Sequence, residues 1–582
     1  MNIILAAINA KYIHSNLAVY SIRAYANEYK EDIIIAEYTI NQQLDDILMD
    51  LYKKKPDVLC FSCYIWNMNY IEELVVEMGK LFPNIPIWLG GPEVSYDASD
   101  VLVRLPRVTG VMRGEGEETS RELFAYYRRQ WEHAASDIGL ESITGITYRN
   151  ERGMVCENEW REVLDLSTIP FVYQELETFK NKIIYYETSR GCPFSCSYCL
   201  SSVDKRLRFR DIELVEKELQ FFIDEKIPQV KFVDRTFNCN HEHAIAIWSY
   251  LLMHDNGITN FHFEVAADIM NQEELELIRQ MRPGLIQLEI GVQSTNEKTV
   301  KEIKRKMDFT QVKTIVEEIS AMKNTHQHLD LIVGLPYEDY ERFQMSFNDV
   351  YGLHPEQLQM GFLKVLKGSY MEEQKAAYGL VCRAKPPYEV LFTNWVPYEK
   401  MLKLKGVEQM VEIYYNSGQF RNTLAKLERE FKSPFAMFES LSEYYEINEL
   451  HLMNHSRITR YELLFTFINQ IVPEKVDEYK ELLTYDLYLR ENVKNRPAFA
   501  GEPTTDKEIL QEIYDIESKE HKLLAGYDRC DKRQIRKMTH VERFSYDVRE
   551  NQSAKEIYLL FDYQNRNPLT YEAKTITLEV SS

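Results

Sequence analysis

No run of eighteen apolar residues occurs anywhere in this chain of 582 residues, which excludes a membrane-spanning helix. The opening stretch Met1–Ile8 is mostly apolar, but no basic residues precede it and it is too short to cross a bilayer, so neither a signal peptide nor an anchor is expected. Positive charge is scarce: 69 Lys and Arg stand against 91 Asp and Glu, a formal net charge of −22. That balance disfavours a protein that grips nucleic acid by neutralising its phosphates. Cysteine is scarce too, nine in all, too few and too unevenly spread for a disulfide scaffold. A reducing cytoplasm is therefore the expected compartment. Hydrophobic residues at 45% and charged residues at 27% are ordinary for a globular protein. The length predicts two to four domains, each with its own core.

What the chain does have is concentrated. Cys192, Cys196 and Cys199 fall within eight residues of the stretch Glu187–Leu200, ETSRGCPFSCSYCL. Spacings of four and three positions fit one short loop around a metal centre. Three thiolates on a cubane leave one iron without a protein ligand, where a small molecule can bind. A structural zinc would want a fourth Cys or His at similarly tight spacing, and none lies nearby. A disulfide would leave one thiol over. The residues favour an iron–sulfur cluster and leave zinc as the standing alternative.

Cys192-Pro-Phe-Ser-Cys196-Ser-Tyr-Cys199, with aromatic Tyr198 before the third cysteine and the turn Ser189-Arg190-Gly191 before the first, resembles the signature of the radical S-adenosylmethionine (SAM) enzymes. The resemblance implies a 4Fe-4S cluster on those three cysteines. It further implies that SAM chelates the open iron and is cleaved reductively to methionine and a 5′-deoxyadenosyl radical.

Residues 1 to about 132 alternate apolar runs with amphipathic stretches. Ile3–Ile8, Ile33–Ala36, Val58–Ser62, Ile85–Leu89 and Val108–Met112 read as strands, and the alternation argues for a doubly wound parallel sheet. Such sheets take ligands beyond the carboxyl ends of their strands. Those ends carry Asn9 to His14, Ser62 to Asn67, Gly90-Gly91-Pro92-Glu93 and Arg113-Gly114-Glu115-Gly116-Glu117. This region resembles the cobalamin-binding domain that precedes the radical domain in one class of the family. On that resemblance the cobalamin contacts are Asn9, Lys11, Tyr12, His14, Ser62, Tyr64, Gly90, Gly91, Pro92, Glu93, Gly114, Glu115 and Gly116. The Asp-x-His-x-x-Gly loop of proteins that ligate cobalt through histidine is missing, so no lower ligand is expected from the first loop; His14 reads as a locally bonded polar residue. Cys60 and Cys63 are spaced C-x2-C but sit in an apolar strand, and read as inert core.

Thr144–Tyr148 and Met154–Glu157 flank a turn and predict a hairpin, followed by a packed linker to Tyr173. From Ile183 the alternation resumes. Ile183–Thr188, Gln229–Val233, Phe261–Ala266, Ile286–Gly291, His328–Val333 and Leu358–Val365 predict six strands, the partial (β/α)6 TIM-like barrel that the resemblance implies. Chemistry in such barrels sits at the carboxyl strand ends. On the resemblance, SAM meets Tyr198, Asp234, Arg235, Thr236, Glu264, Glu289, Gln293 and Gly334, although Asp234-Arg235-Thr236 departs from the family's common Gly-Gly-Glu. After about Pro386, Tyr and Leu at helical spacing in Tyr398–Phe431 and Pro434–Phe467 predict helices, and Ile557–Asp562 and Thr575–Val580 predict closing strands. Phe438, Tyr445, Tyr461 and Phe465 read as helix core. The basic run Arg529–Arg536 reads as a solvated face, and Cys382 and Cys530 as inert.

The expected organisation is α/β with a Rossmann-like domain at 1–140, a hairpin and linker at 141–180, the partial barrel at 181–385 and a mainly helical domain at 386–582. The expected function is cobalamin-dependent radical SAM chemistry, foremost methyl transfer to an unactivated carbon. A radical rearrangement, cyclisation or oxygenation, or a non-catalytic cobalamin or redox sensor, are the alternatives. The expected partners are a small-molecule or peptide substrate and an electron donor such as flavodoxin or ferredoxin, with no nucleic acid and no membrane. No residue is singled out as catalytic in its own right.

Overall fold

The computed structural model describes residues 1–133, 139–203, 205–502, 505, 507–524, 526–549 and 556–579. The chain divides into two compact units. The first holds residues 1–325, 332–340 and 361–398, and the second holds 326–331, 341–360 and 399–582. Among the described residues no helix is long and apolar enough to cross a membrane.

In the first unit the early apolar runs become β1 (Ile3–Asn9), β2 (Ile33–Thr39), β3 (Val58–Ser62), β4 (Ile87–Gly90) and β5 (Gly110–Met112). They pair in parallel in the order β2-β1-β3-β4-β5. Helices such as Leu17–Tyr25, Met68–Leu81 and Glu117–Trp131 connect them. All seven residues of β1 are buried, as a central strand covered on both faces requires. The predicted hairpin forms as β6 (Ile146–Arg149) and β7 (Val155–Glu157), but it extends the sheet antiparallel beyond β5 to seven strands. Local turn residues dictate a hairpin and say nothing of which edge it joins. Strand order reverses between β1 and β3, so the loops after these two strands flank the switch point where open parallel sheets take ligands.

β8 (Ile184–Tyr186) begins a second sheet and runs into a short ribbon, β9 (Ser189–Arg190) against β10 (Arg208–Phe209). β11 (Gln229–Phe232), β12 (Asn260–Val265) and β13 (Ile286–Gln293) follow in parallel in the order β8-β11-β12-β13. β14 (His326–Val333) and β15 (Gln357–Phe362), whose residues divide between the units, bring the sheet to six strands. This is the expected partial barrel. Along β13, Ile286, Leu288, Ile290 and Val292 are buried while Gln287, Glu289, Gly291 and Gln293 alternate with them on the other face. The first unit ends with a small hairpin, β16 (Val381–Cys382) and β17 (Val390–Phe392).

The second unit is largely helical, with two differences from the sequence reading. Tyr398–Phe431 is broken by a π turn at Val411–Asn416. The widened turn carries Asn416, whose amide bonds the backbone N and O of Leu358 at 2.9 and 3.0 Å. The closing sheet has a third strand, β18 (Thr539–Phe544), ahead of β19 (Ile557–Arg566) and β20 (Ala573–Leu578). β18 was hidden by its charged residues and by the basic run before it, which forms a helix, Lys532–Met538, anchored by Lys532 to Asp515 at 2.5 Å. Val580, the last residue of the predicted strand, lies outside the described residues. Phe438, Tyr445 and Tyr461 are core, while Phe465 is half-buried.

Asp486 in this unit is buried. It accepts hydrogen bonds from Asn422 N and Nδ2 at 3.2 and 2.7 Å and from Thr423 N and Oγ1 at 2.9 and 2.7 Å. Burial outweighs these bonds and pushes its carboxyl from the ordinary 3.8 up to about 6. The folded chain therefore keeps a proton that the unfolded chain has released, and the stability this confers is lost as pH rises through 6. Denaturant unfolding followed by circular dichroism is expected to show stability falling by up to about 3 kcal/mol between pH 4 and 7 from this group, and Asp486→Asn should remove that slope.

Candidate active site

The cysteine loop is closed at its base by the β9–β10 ribbon, in which Arg208 faces Arg190 and Phe209 faces Ser189. Gly191 follows with φ +92°, and a Cβ there would sit 2.8 Å from the carbonyl oxygen of Arg206; only glycine fits. Inside the loop Ser202 Oγ donates to the carbonyls of Cys196 and Cys199 at 2.9 and 2.6 Å. Ser197 donates its N–H to Ile303 O at 2.9 Å and accepts from Met371 N at 2.8 Å, which ties the loop to two distant segments of the same unit. Cys192 and Cys196 are buried and Cys199 is half-buried.

Two of the sulfurs have polar neighbours. Thr236 Oγ1 lies 3.6 Å from Cys192 Sγ, and Arg305 Nη1 lies 3.7 Å from Cys196 Sγ and 3.3 Å from Tyr198 Oη. Burial pushes the Cys196 thiol up and the Arg305 guanidinium pulls it back. Three soft donors with a cation at one of their sulfurs suit a cluster whose thiolates need hydrogen bonds. Sequence reasoning missed Arg305; it sits in the run Lys304-Arg305-Lys306, where nothing local marks one of the three as half-buried and turned to the sulfurs. Cys239 is a fourth thiol of this region, and the charge of Cys192 adds to the burial that pushes it up to about 11.

The expected SAM contacts divide. Gln293 ends β13 at φ +72°, and its Oε1 is buried with no partner among the described residues. An orphaned acceptor held in a strained backbone at a strand end fits a polar ligand group. Gly334 turns the chain at φ +90° after β14. Glu264 pairs with exposed Arg235, 3.7 Å from it. Glu289 is instead paired with Lys231 and His262, each at 3.1 Å.

Asp234 is committed elsewhere than expected. It is fully buried and accepts from Thr188 Oγ1 and Ser189 Oγ, both at 2.6 Å, and from Thr188 N at 3.1 Å. It therefore sets the exit of β8 into the cysteine loop. Asp234→Ala strands three buried donors, and unfolding is expected to show a loss of about 3 kcal/mol, with a visibly smaller loss for Asp234→Asn.

At the Rossmann edge the expected cobalamin contacts also divide. Asn9 donates to His14 O at 3.1 Å and to Glu37 at 3.0 Å. Lys11 and Tyr12 are exposed at the loop tip, Tyr12 by 67%. His14 is bonded at Nδ1 not locally but to Tyr185 of β8. Ser62 ends β3, and its carbonyl accepts from Asn67, which also donates to Ile8 O; Asn67, at the far end of the stretch picked out from the sequence, is a buried amide outside the expected contacts. Tyr64 stacks on Trp66 at 4.3 Å and 8°. At Gly91, φ +115°, a Cβ would lie 2.5 Å from Cys63 O. Gly90 before it and Pro92 after it complete that turn, while Gly114, φ +75°, and Gly116 lead into the helix Glu117–Trp131.

The glutamates of those motifs are spent differently. Glu93 accepts from Tyr388 Oη at 2.6 Å and pairs with Lys367 at 3.2 Å. Glu115 takes Arg208 on both oxygens at 2.6 and 3.1 Å. Arg190 joins Glu117 at 2.5 Å, Glu187 at 2.9 Å and Glu115 at 3.5 Å. The acids tie the sheet edge to the cysteine loop and to the segment after β15; their partners lie too far along the chain for a motif to reveal. Cys60 and Cys63 are buried, and burial pushes the Cys60 thiol up to about 12, so both are the inert core they read as.

Residues 3–124 match the family described as B12 binding domain, residues 186–350 the radical SAM superfamily, and residues 376–561 a protein family of unknown function, DUF4080. The chain is 23% identical over 462 residues to the cobalamin-dependent radical SAM methyltransferase TokK of Streptomyces tokunonensis, covering 72% of this chain and 65% of that one. It is 24% identical to the 2-(S-pantetheinyl)-carbapenam-3-carboxylate methyltransferase of Streptantibioticus cattleyicolor, covering 67% and 61%. It thus spans a little under two thirds of both relatives. Its fold is similar to that of OxsB, a cobalamin-dependent SAM radical enzyme, with TM-score 0.57, 15% identity and 83% of each chain covered. It is also similar to TsrM of Kitasatospora setae, with TM-score 0.54, 16% identity, 66% of this chain and 78% of that one. The chain thus carries, in order, a B12-binding domain, a radical SAM domain and a DUF4080 domain.

Proposed function

We propose that this protein is a cobalamin-dependent radical SAM enzyme that transfers a methyl group to an unactivated carbon of a small, polar substrate. The observation that supports it most is the ionic tie, within one unit, between the turn Gly114–Glu117 of the corrinoid-type sheet and Arg190 of the cysteine loop. When bound, the cluster and SAM supply a carbon-centred radical, and the cobalamin supplies a methyl group that a radical can accept. The chain's own task is to hold both against one carbon and keep water out.

In this reading Cys192, Cys196 and Cys199 hold the cluster. Tyr198, Thr236, Glu264, Gln293 and Gly334 line SAM, with Arg305 placed to meet its carboxylate. Asn9, Lys11, Tyr12, Ser62, Tyr64 and the turns at Gly90-Gly91 and Gly114 meet the corrin. The Lys231–Glu289–His262 group, on the polar face of the barrel strands, orients the substrate, which argues for a polar molecule or peptide. The working division is 1–140 for cobalamin, 141–180 as connection, 181–385 for SAM and 386–582 for a role of its own. Nine free thiols suit a reducing cytoplasm.

Anaerobic reconstitution with iron, sulfide and cobalamin, followed by mass spectrometry, tests the reading. Both 5′-deoxyadenosine and S-adenosylhomocysteine are expected products. Protein that takes up iron but never cobalamin would rule it out, and 5′-deoxyadenosine alone would point to rearrangement, cyclisation or oxygenation instead.

A further inference from the structure

A chain of net charge −22 carries a stretch of opposite sign packed against its cysteine loop. Between Glu297 and Lys306 stand five cationic residues, Lys298, Lys301, Lys304, Arg305 and Lys306, and two anionic ones, Glu297 and Glu302. All four lysines are exposed. Among the described residues none of the four has an ion-pair partner. Lys298 and Lys304 instead lie over the rings of Tyr337 and Tyr370 at 3.8 and 3.1 Å. Glu302 is engaged with Tyr378 Oη at 2.7 Å. On the neighbouring segment Glu372 bonds Gly368 N at 2.7 Å, and the exposed acids nearby in the chain are Glu297, Asp308, Glu372 and Glu373.

The stretch touches the cysteine loop directly. Ile303 O accepts the N–H of Ser197, the residue after Cys196, at 2.9 Å. Arg305 turns inward to 3.7 Å from Cys196 Sγ, while its neighbours Lys304 and Lys306 point to solvent. Surface and sulfur are thus separated by one residue. We propose that Lys298, Lys301, Lys304 and Lys306 form the docking surface for a small, acidic one-electron carrier protein that reduces the cluster through the Ile303–Ser197 contact. The carrier gives up one electron and the cluster gains one; no bond or proton changes hands. Charge complementarity and the direct contact with the cysteine loop choose this occupant: lysines without ion-pair partners steer an acidic protein, and only a carrier of electrons has use for a face one residue from the sulfur.

This inference rests on the cysteine loop carrying a reducible cluster, and the test separates the two. Reconstituted wild-type protein and the variant Lys301→Glu/Lys304→Glu/Lys306→Glu are mixed anaerobically with flavodoxin hydroquinone, and cluster bleaching is followed by stopped flow. A second arm uses photoreduced deazaflavin, too small to need a docking face. The expected result is a fall of about tenfold or more in the flavodoxin rate, a flatter dependence on salt, and an unchanged deazaflavin rate. Lys313→Glu, on the helix Phe309–Met322, should leave both rates as they are. A flavodoxin rate within twofold of wild type overturns the proposal, as does an equal loss with deazaflavin. Loss of binding to a labelled RNA hairpin with flavodoxin reduction intact overturns it in favour of a nucleic-acid partner. Failure of deazaflavin to bleach even the wild type would count against the cluster itself.

Discussion

Arg190→Met is expected to destabilise the first unit by about 3–5 kcal/mol, the cost of taking one partner from a buried ion pair. One guanidinium serves Glu117, Glu187 and Glu115, and Glu117 is only 4% exposed. Without the cation three carboxylates share a poorly hydrated space. Burial already pushes Glu187 up to about 6 with Arg190 in place, so protonation at low pH should rescue part of the loss. Arg190→Lys should recover less than charge alone suggests, because an ammonium cannot span three acceptors as a planar fork does. Arg190→Met with Glu117→Gln should be less than additive. Hydrogen exchange at Glu115–Glu117 is the second readout: it should quicken in Arg190→Met, as the corrinoid turn comes loose from the cysteine loop. Unchanged exchange would mean the tie does not join them.

Cys196→Ala is expected to lower SAM cleavage by roughly a thousandfold or more and to strip most of the iron, with Cys192→Ala and Cys199→Ala close to it. Residues that act as one unit do not contribute separable shares. Iron analysis and release of 5′-deoxyadenosine measure both losses. Cys60→Ala, in the core of the other sheet, should keep its iron.

The parts legible in the sequence are those with local causes. A parallel strand buried on both faces must be a short apolar run, so Ile3–Asn9 and its fellows could be found within a few residues. Three thiols in one loop declare themselves by spacing. The glutamates show the limit. Gly-Gly-Pro-Glu and Gly-Glu-Gly-Glu do form turns at strand ends, yet Glu93 and Glu115 pair with Lys367 and Arg208, and no local rule names a partner that distant. Asp234 shows the same limit: its place after β11 was correct, but its carboxylate faces Thr188 and Ser189 of the loop it supports. Arg305 and Asn67 matter through what they reach, Cys196 and the ends of β1 and β3. Only the fold brings those together.

The proposed chemistry needs one iron left to SAM, and Cys239, whose thiol feels the charge of Cys192, is the further thiol to test against it. The most direct measurement is pulsed electron–nuclear resonance on the reduced cluster with SAM labelled at its carboxylate. Coupling between label and cluster in wild type, retained together with full iron in Cys239→Ser, is the predicted result. A wild-type cluster blind to the label, which sees it only once Cys239 is gone, would contradict the account.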